Sequence, residues 1–289
     1  MLAHGVNVPT EESQQCKLLI MTSRINHDQT QEFFVRNNYF GAKRENIIFF
    51  EQAVLPTISA ENGKIIMEDR HKIAMGPNGN GALFEAVNAN ETVKTILQAS
   101  EYVQIIGVDN VLNRILDPVY IGFTVAKNLD AAMKSCVKRD AKEPVGVLVK
   151  RGGNKYDIIE YSEFSEADAS AIIPETGELK YNLGNILVFI LKSEKLLDLA
   201  SNSDTMNQLY HKAFKKISYY DPETKTTIAP KTPNAWKFEL FIHNFLPFCE
   251  PGKLGVLKVK REEEFGPVKN AEGVDSPQSA RELIYSLSK

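Results

Sequence analysis

Four short, continuous apolar runs set the terms for this chain: residues 17–22 (KLLIMT), 46–50 (NIIFF), 102–108 (YVQIIGV) and 185–191 (NILVFIL). Amphipathic segments at helical spacing separate them. A short run that is apolar at consecutive positions predicts a strand covered on both faces, so the pattern predicts an α/β fold with helices on both sides of a sheet. Residues 28–38 read as the first helix, capped by Asn26 or Asp28, and Asp117-Pro118 starts another. Glu61-Asn62-Gly63-Lys64 is a hairpin signal, and Gly152-Gly153-Asn154 turns the chain between strands expected over 145–150 and 155–161. Helices are expected over 203–214 and 276–287, and a last strand over 254–259. An amphipathic run spans 236–248. No repeat, low-complexity tract or linker is legible, so residues 1–289 read as a single domain.

Charge and cysteine usage exclude several classes. A net charge of −3 and a pI near 6.0 lack the basic excess that a general nucleic-acid binder needs to neutralise phosphates. Cys16, Cys136 and Cys249 are odd in number and far apart, which predicts free thiols in a reducing compartment, the cytoplasm. The first residues show no basic n-region with an apolar core, and the longest apolar stretch, at 186–191, is far too short for a bilayer span. Neither a nucleic acid nor a membrane is an expected partner. His4, His27, His71, His211 and His243 show no paired metal-ligand spacing.

Candidate chemistry begins with residues 75–81, MGPNGNG. Its glycines match neither the dinucleotide fingerprint nor the P-loop. The stretch reads either as a turn before a helix or as a loop whose main chain a ligand can touch. Asp109 follows the run YVQIIGV, beyond the carboxyl end of a strand, where open α/β sheets bind ligands; a carboxylate there can hold Mg²⁺ or cap a turn. Lys237 and Lys269 are either phosphate partners or solvated lysines. Glu160 ends an apolar strand, where it can accept hydrogen bonds from sugar hydroxyls or merely face solvent. Asn185, between Gly184 and Ile186, offers both donor and acceptor beside a flexible backbone, or a turn. No Ser-His-Asp or Cys-His arrangement is legible.

Seven motifs then recur in order: FFEQAVLP (49–56), PNGNG (77–81), VDN (108–110), EPVGV (143–147), IIEYSE (158–163), GNI (184–186) and REEEFGPVKNA (261–271). Together they closely resemble the eukaryotic UDP-N-acetylglucosamine pyrophosphorylase family over nearly the whole chain. The resemblance implies a Rossmann-like mixed sheet of the nucleotide-diphospho-sugar transferase type. It also implies uridylyl transfer from UTP to N-acetylglucosamine-1-phosphate with Mg²⁺, giving UDP-N-acetylglucosamine and pyrophosphate. On the same basis Gln52, Gly79 and Asn80 contact uracil, and Asp109 lies at the metal and ribose-phosphate region. Gly146, Glu160 and Asn185 line the sugar pocket, Phe241 adds an apolar wall, and Lys237 and Lys269 are the catalytic cations facing the phosphates. A larger residue at position 79 is then expected to harm ligand binding far more than folding.

Three departures accompany the resemblance. The family's glycine-rich signature, with the lysine that follows it, has no counterpart before KLLIMT; the family's C-terminal region has none after SARELIYSLSK; and His243 stands where the family carries an aromatic residue. The chain is therefore expected to be a fold incomplete at both ends relative to the family. Alone it is expected to show little turnover and to associate with a chain supplying the N-terminal segment. The alternatives are a UDP-sugar-binding remnant without catalysis and a pyrophosphorylase of different sugar specificity.

Overall fold

A computed structural model describes residues 16–202 and 209–287. Those residues gather into two compact units, one lying within Met1–Ala99 and Leu197–Ile242, the other within Ser100–Leu196 and His243–Lys289. The chain thus passes from one unit to the other three times, so no single stretch of sequence acts as a linker.

The first unit starts with a β–α–β element. Strands Leu18–Thr22 and Ile47–Glu51 pair in parallel, Leu18 opposite Ile47, and helix His27–Arg36 connects them. Asn26 precedes the helix as expected, but its side chain does not cap it. The Asn26 carboxamide oxygen accepts from the Ser23 N–H (2.8 Å) instead, closing the turn. Phe34 holds the helix onto the sheet through an edge contact with Phe49, ring centroids 5.2 Å apart. Beyond this, Val54–Pro56 pairs with Met75–Pro77, and His211–Lys215, Ala235–Glu239 and Ile58–Ser59 form a three-stranded antiparallel sheet in that order. The expected hairpin at Gly63 is present, with φ +70° at the glycine. Ile66, Ala74 and Ala235 form a small core under these strands.

One expected helix is corrected here. Of residues 203–214, positions 203–208 lie outside the described residues and His211–Lys215 is a strand paired with Ala235–Glu239. Cross-strand pairing, Phe214 against Trp236 with ring centroids 4.8 Å apart, outweighs the local helical preference.

The second unit is built on a six-stranded mixed sheet. Its order is Lys155–Ile159, Val147–Arg151, Leu183–Lys192, Ala131–Val137, Leu254–Lys258, with Tyr102–Ile106 also pairing to Leu183–Lys192. The ten-residue strand Leu183–Lys192 runs antiparallel to its neighbours, whereas Leu254–Lys258 and Ala131–Val137 are parallel. Helix Pro118–Ala126 starts at Asp117, whose carboxylate accepts from the Val119 N–H (3.0 Å). Tyr120, Leu129, Ala132, Ile186, Val188, Ile190 and Phe265 pack into the core. The α/β class and the mixed sheet agree with the sequence reading. Ala131–Val137 is a strand that the reading lacks, although all but its last residue is buried. Among the described residues, no helix is long and apolar enough to cross a membrane.

Candidate active site

The glycine-rich loop of the first unit is bolted to the segment after Ala235–Glu239. The Leu240 N–H donates to the Asn78 carbonyl (2.7 Å), the Gly81 N–H to the Leu240 carbonyl (2.8 Å), and the Ile242 N–H to the Asn80 side-chain oxygen (2.9 Å). Gly79 adopts φ +88°, and a Cβ there would overlap the Leu240 carbonyl oxygen and lie 2.9 Å from the Leu240 nitrogen. The glycine is therefore required by close main-chain packing, whatever a ligand requires. This corrects the expectation that a larger residue at 79 acts mainly on binding. Asn78 is fully buried, donates to Glu85 (2.8 Å), and leaves its side-chain oxygen without a partner among the described residues. Tyr210 donates to the other Glu85 oxygen (3.0 Å), closing a polar knot beneath the loop.

Gln52 lies just past strand Ile47–Glu51. Its N–H donates to the Thr22 carbonyl (2.8 Å), while its side-chain oxygen is buried with no hydrogen-bond partner among the described residues. An acceptor left in this way needs a donor from water or ligand. Lys237 lies against Gly76 and pairs with Glu239 at 2.8 Å. Phe241 packs on the His211 ring, centroids 4.7 Å apart. Gln52, Gly79, Asn80, Lys237 and Phe241 all belong to the first unit.

Asp109, Gly146, Glu160, Asn185 and Lys269 belong to the second. Three of them meet. Strand Leu183–Lys192 shifts register against Ala131–Val137 between Asn185 and Phe189, and Leu187 takes φ +55° within that bulge. The Asn185 side-chain oxygen accepts from the Leu187 N–H (3.0 Å), and the Asn185 N–H donates to the Gly146 carbonyl (2.8 Å). A Cβ on Gly146 would stand 2.7 Å from Ile158 Cγ2 and 2.9 Å from a Glu160 carboxylate oxygen, so a larger residue there would push both side chains aside. His243, 2% exposed, brings Nε2 to 3.7 Å from the same oxygen.

Asp109 follows strand Tyr102–Ile106 by three residues, and its carbonyl accepts from the Val268 N–H (2.9 Å). This bond brings the segment carrying Lys269 alongside it. Asp109's carboxylate and the Lys269 ammonium have no ion pair or hydrogen bond among the described residues. No group of three or more His, Cys, Asp or Glu side chains among those residues could hold a metal. A lone, half-buried carboxylate fits a hard cation that takes most of its oxygen ligands from substrate phosphates and water. Sequence reasoning missed Lys134, which is buried in strand Ala131–Val137 against Asp117 and Glu264, and the pair Asn78 and Glu85 beneath the glycine-rich loop. A lysine between alanine, methionine and serine in a seven-residue run was the available signal for the first.

Residues 4–281 match the family described as UTP–glucose-1-phosphate uridylyltransferase. The chain belongs to that family. Among curated uridylyltransferase relatives, it is 37% identical over 274 residues to the UDP-N-acetylglucosamine pyrophosphorylase of Saccharomyces cerevisiae, covering 92% of this chain and 56% of that one. It is 36% identical over 272 residues to UDP-N-acetylglucosamine diphosphorylase 2 of Arabidopsis thaliana, covering 93% and 52%. The crystal structure of the uridine diphosphate N-acetylglucosamine pyrophosphorylase of Trypanosoma brucei, determined with an inhibitor, superposes with a TM-score of 0.80 at 34% identity. That match covers 93% of this chain and 53% of the other. The chain thus spans about half the length of the curated relatives it matches.

Proposed function

We propose that this uridylyltransferase-family chain recognises UTP, N-acetylglucosamine-1-phosphate and their product UDP-N-acetylglucosamine, and supports uridylyl transfer with Mg²⁺. The observation that carries the reading is the meeting of Gly146, Glu160 and Asn185 at the strand bulge. A main-chain carbonyl and a carboxylate from the two ends of the hairpin 147–159 converge there with a carboxamide from strand Leu183–Lys192, as a polyhydroxylated ring needs. In the first unit, the buried Gln52 acceptor and the Asn80 amide donors match a base with both an N–H and flanking carbonyls, as uracil has.

In the proposed reaction, the sugar phosphate oxygen attacks the α-phosphorus of UTP and pyrophosphate leaves. Such a transfer asks for alignment and positive charge around the phosphates, with no protein nucleophile. Lys269 supplies that charge. Lys237 is paired with Glu239 at 2.8 Å, which leaves two of its three ammonium N–H donors for phosphate. Asp109 would hold the divalent cation, which supplies neutralisation of charge spreading over the phosphate oxygens. A cytoplasmic location is part of this reading, supported by three free thiols.

Calorimetric titration with UDP-N-acetylglucosamine and with ADP-glucose, both with Mg²⁺, tests it. The uridine compound is expected to bind at least about tenfold more tightly, roughly 1.4 kcal/mol. Equal affinities, or preference for ADP-glucose, overturn the base-reading assignment.

A further inference from the structure

Lys134 occupies the middle of strand Ala131–Val137 with no exposed surface. Its ammonium lies 2.6 Å from an Asp117 oxygen and 2.5 Å from a Glu264 oxygen, and 5.0 Å from the centre of the Tyr120 ring. A sheet core does not need such a cluster. Apolar residues of similar volume serve packing as well or better, because the attraction among buried charges barely offsets their lost hydration. What the cluster grips is therefore informative.

Glu264 ends the four-residue helix Arg261–Glu264. Its carbonyl accepts from the Asn110 side chain at 2.8 Å. Asn110 is buried and its carboxamide is fully engaged. The oxygen accepts from the N–H groups of Leu112 (3.2 Å) and Gly266 (2.8 Å), and the nitrogen also donates to Asn113 (2.9 Å). Asp109 precedes Asn110, and its carbonyl accepts from Val268, the neighbour of Lys269. An unbroken series of bonds therefore runs from the Lys134 ammonium through Glu264 and Asn110 to Asp109 and Lys269. Arg114 also reaches Glu264, at 3.8 Å, but it is half-exposed and pairs more closely with Glu263.

We propose that Lys134 is a positioning residue which, by anchoring Glu264 inside the sheet, fixes Asp109 and Lys269 at their mutual spacing. What those two residues do rests on the function proposed above; that Lys134 positions them does not.

Lys134→Met alone would strand two buried carboxylates, so the test uses the neutralised combination Lys134→Met, Asp117→Asn and Glu264→Gln, with Glu264→Gln alone as a second variant. Native-state hydrogen exchange is read at single amides. The N–H groups of Leu112, Gly266 and Val268, which bond to Asn110 or Asp109, are expected to exchange at least tenfold faster in both variants. Amides of 189–191, in the strand paired with Ala131–Val137, are expected to keep their parent rates. Uniform acceleration across both sets would make the cluster a packing feature of the sheet and overturn the proposal, as would unchanged rates at Gly266 and Val268. The Mg²⁺ concentration giving half-maximal UDP-N-acetylglucosamine binding is a second readout, expected to rise at least tenfold while affinity for uridine alone stays constant. If the parent chain binds no UDP-N-acetylglucosamine, the proposed function fails, and the exchange pattern still decides the positioning role.

Discussion

The Asn80 carboxamide oxygen is engaged by the Ile242 N–H, which leaves its two N–H donors for a ligand. The two roles can be separated by substitution. Asn80→Asp keeps an acceptor for Ile242 but has no side-chain donors, whereas Asn80→Ala removes both. With a base carbonyl accepting from Asn80, Asn80→Asp should lose roughly 1–3 kcal/mol of uridine affinity, the range for a buried acceptor left unpaired, at nearly unchanged melting temperature. Asn80→Ala should lose affinity and melt lower as well. Calorimetry with uridine beside thermal melts checks both; parent-like affinity in Asn80→Asp would assign this side chain to loop anchoring alone. At this scale the sequence offered residue types in the right order but not their partners. Lys134 and Glu264 are 130 positions apart, Asn110 and Gly266 are 156 apart, and no local spacing foretells either pair.

Among elements, the glycine-rich loop is where local chemistry and tertiary packing meet. Three hydrogen bonds tie residues 78–81 to residues 240–242, and Gly79 fits only because its Cα faces the Leu240 main chain without a Cβ. Gly79→Ala combines a positive-φ extended backbone (φ +88°, ψ 175°) that is essentially glycine-only, about 1–3 kcal/mol for an L-residue, with overpacking of about 1–3 kcal/mol. A loss of at least about 2 kcal/mol in urea unfolding is expected, with weaker uridine binding as the loop moves. Parent stability with lost binding would return the glycine to a role in ligand approach alone. Strands of unbroken branched apolar residues were legible in the sequence, and so was helix Pro118–Ala126, which announces itself with Asp117-Pro118. Ala131–Val137 was not legible, because AAMKSCV carries two alanines, a lysine and a serine where a buried strand usually shows Val, Ile or Leu. Its polar side chains are satisfied from elsewhere: Lys134 by Asp117 and Glu264, and Ser135 by the Gly184 carbonyl (2.8 Å). Within residues 203–214, spacing alone argued for helix, yet His211–Lys215 takes its conformation from a partner strand more than twenty positions onward.

For the molecule as a whole, stability should turn on acid more sharply than its near-neutral charge implies. With 37 acidic and 34 basic side chains, the chain is almost balanced at pH 7 and becomes strongly cationic once carboxylates protonate. Most of those groups are exposed and screened, but Asp117 is not. Burial pushes its pKa up, and the hydrogen bond and charge of Lys134 outweigh burial, holding it below the ordinary 3.8. A carboxylate with a depressed folded-state pKa contributes stability that is fully present above the unfolded value and lost as pH falls through the folded one. The window is therefore below about 3.8, with nothing expected from this group between pH 5 and 8. Asp117→Asn isolates its share, since the amide resembles the protonated acid at every pH. Urea unfolding at a series of pH values should show the parent more stable by about 1.5–3 kcal/mol near pH 7, the range for a hydrogen bond to a charged group. The gap should close as pH drops below 3.8, when Asp117 in the parent takes up its proton. A gap that stays constant down to pH 2.5 would mean that Asp117 and Lys134 do not share the buried ionic contact the structure shows.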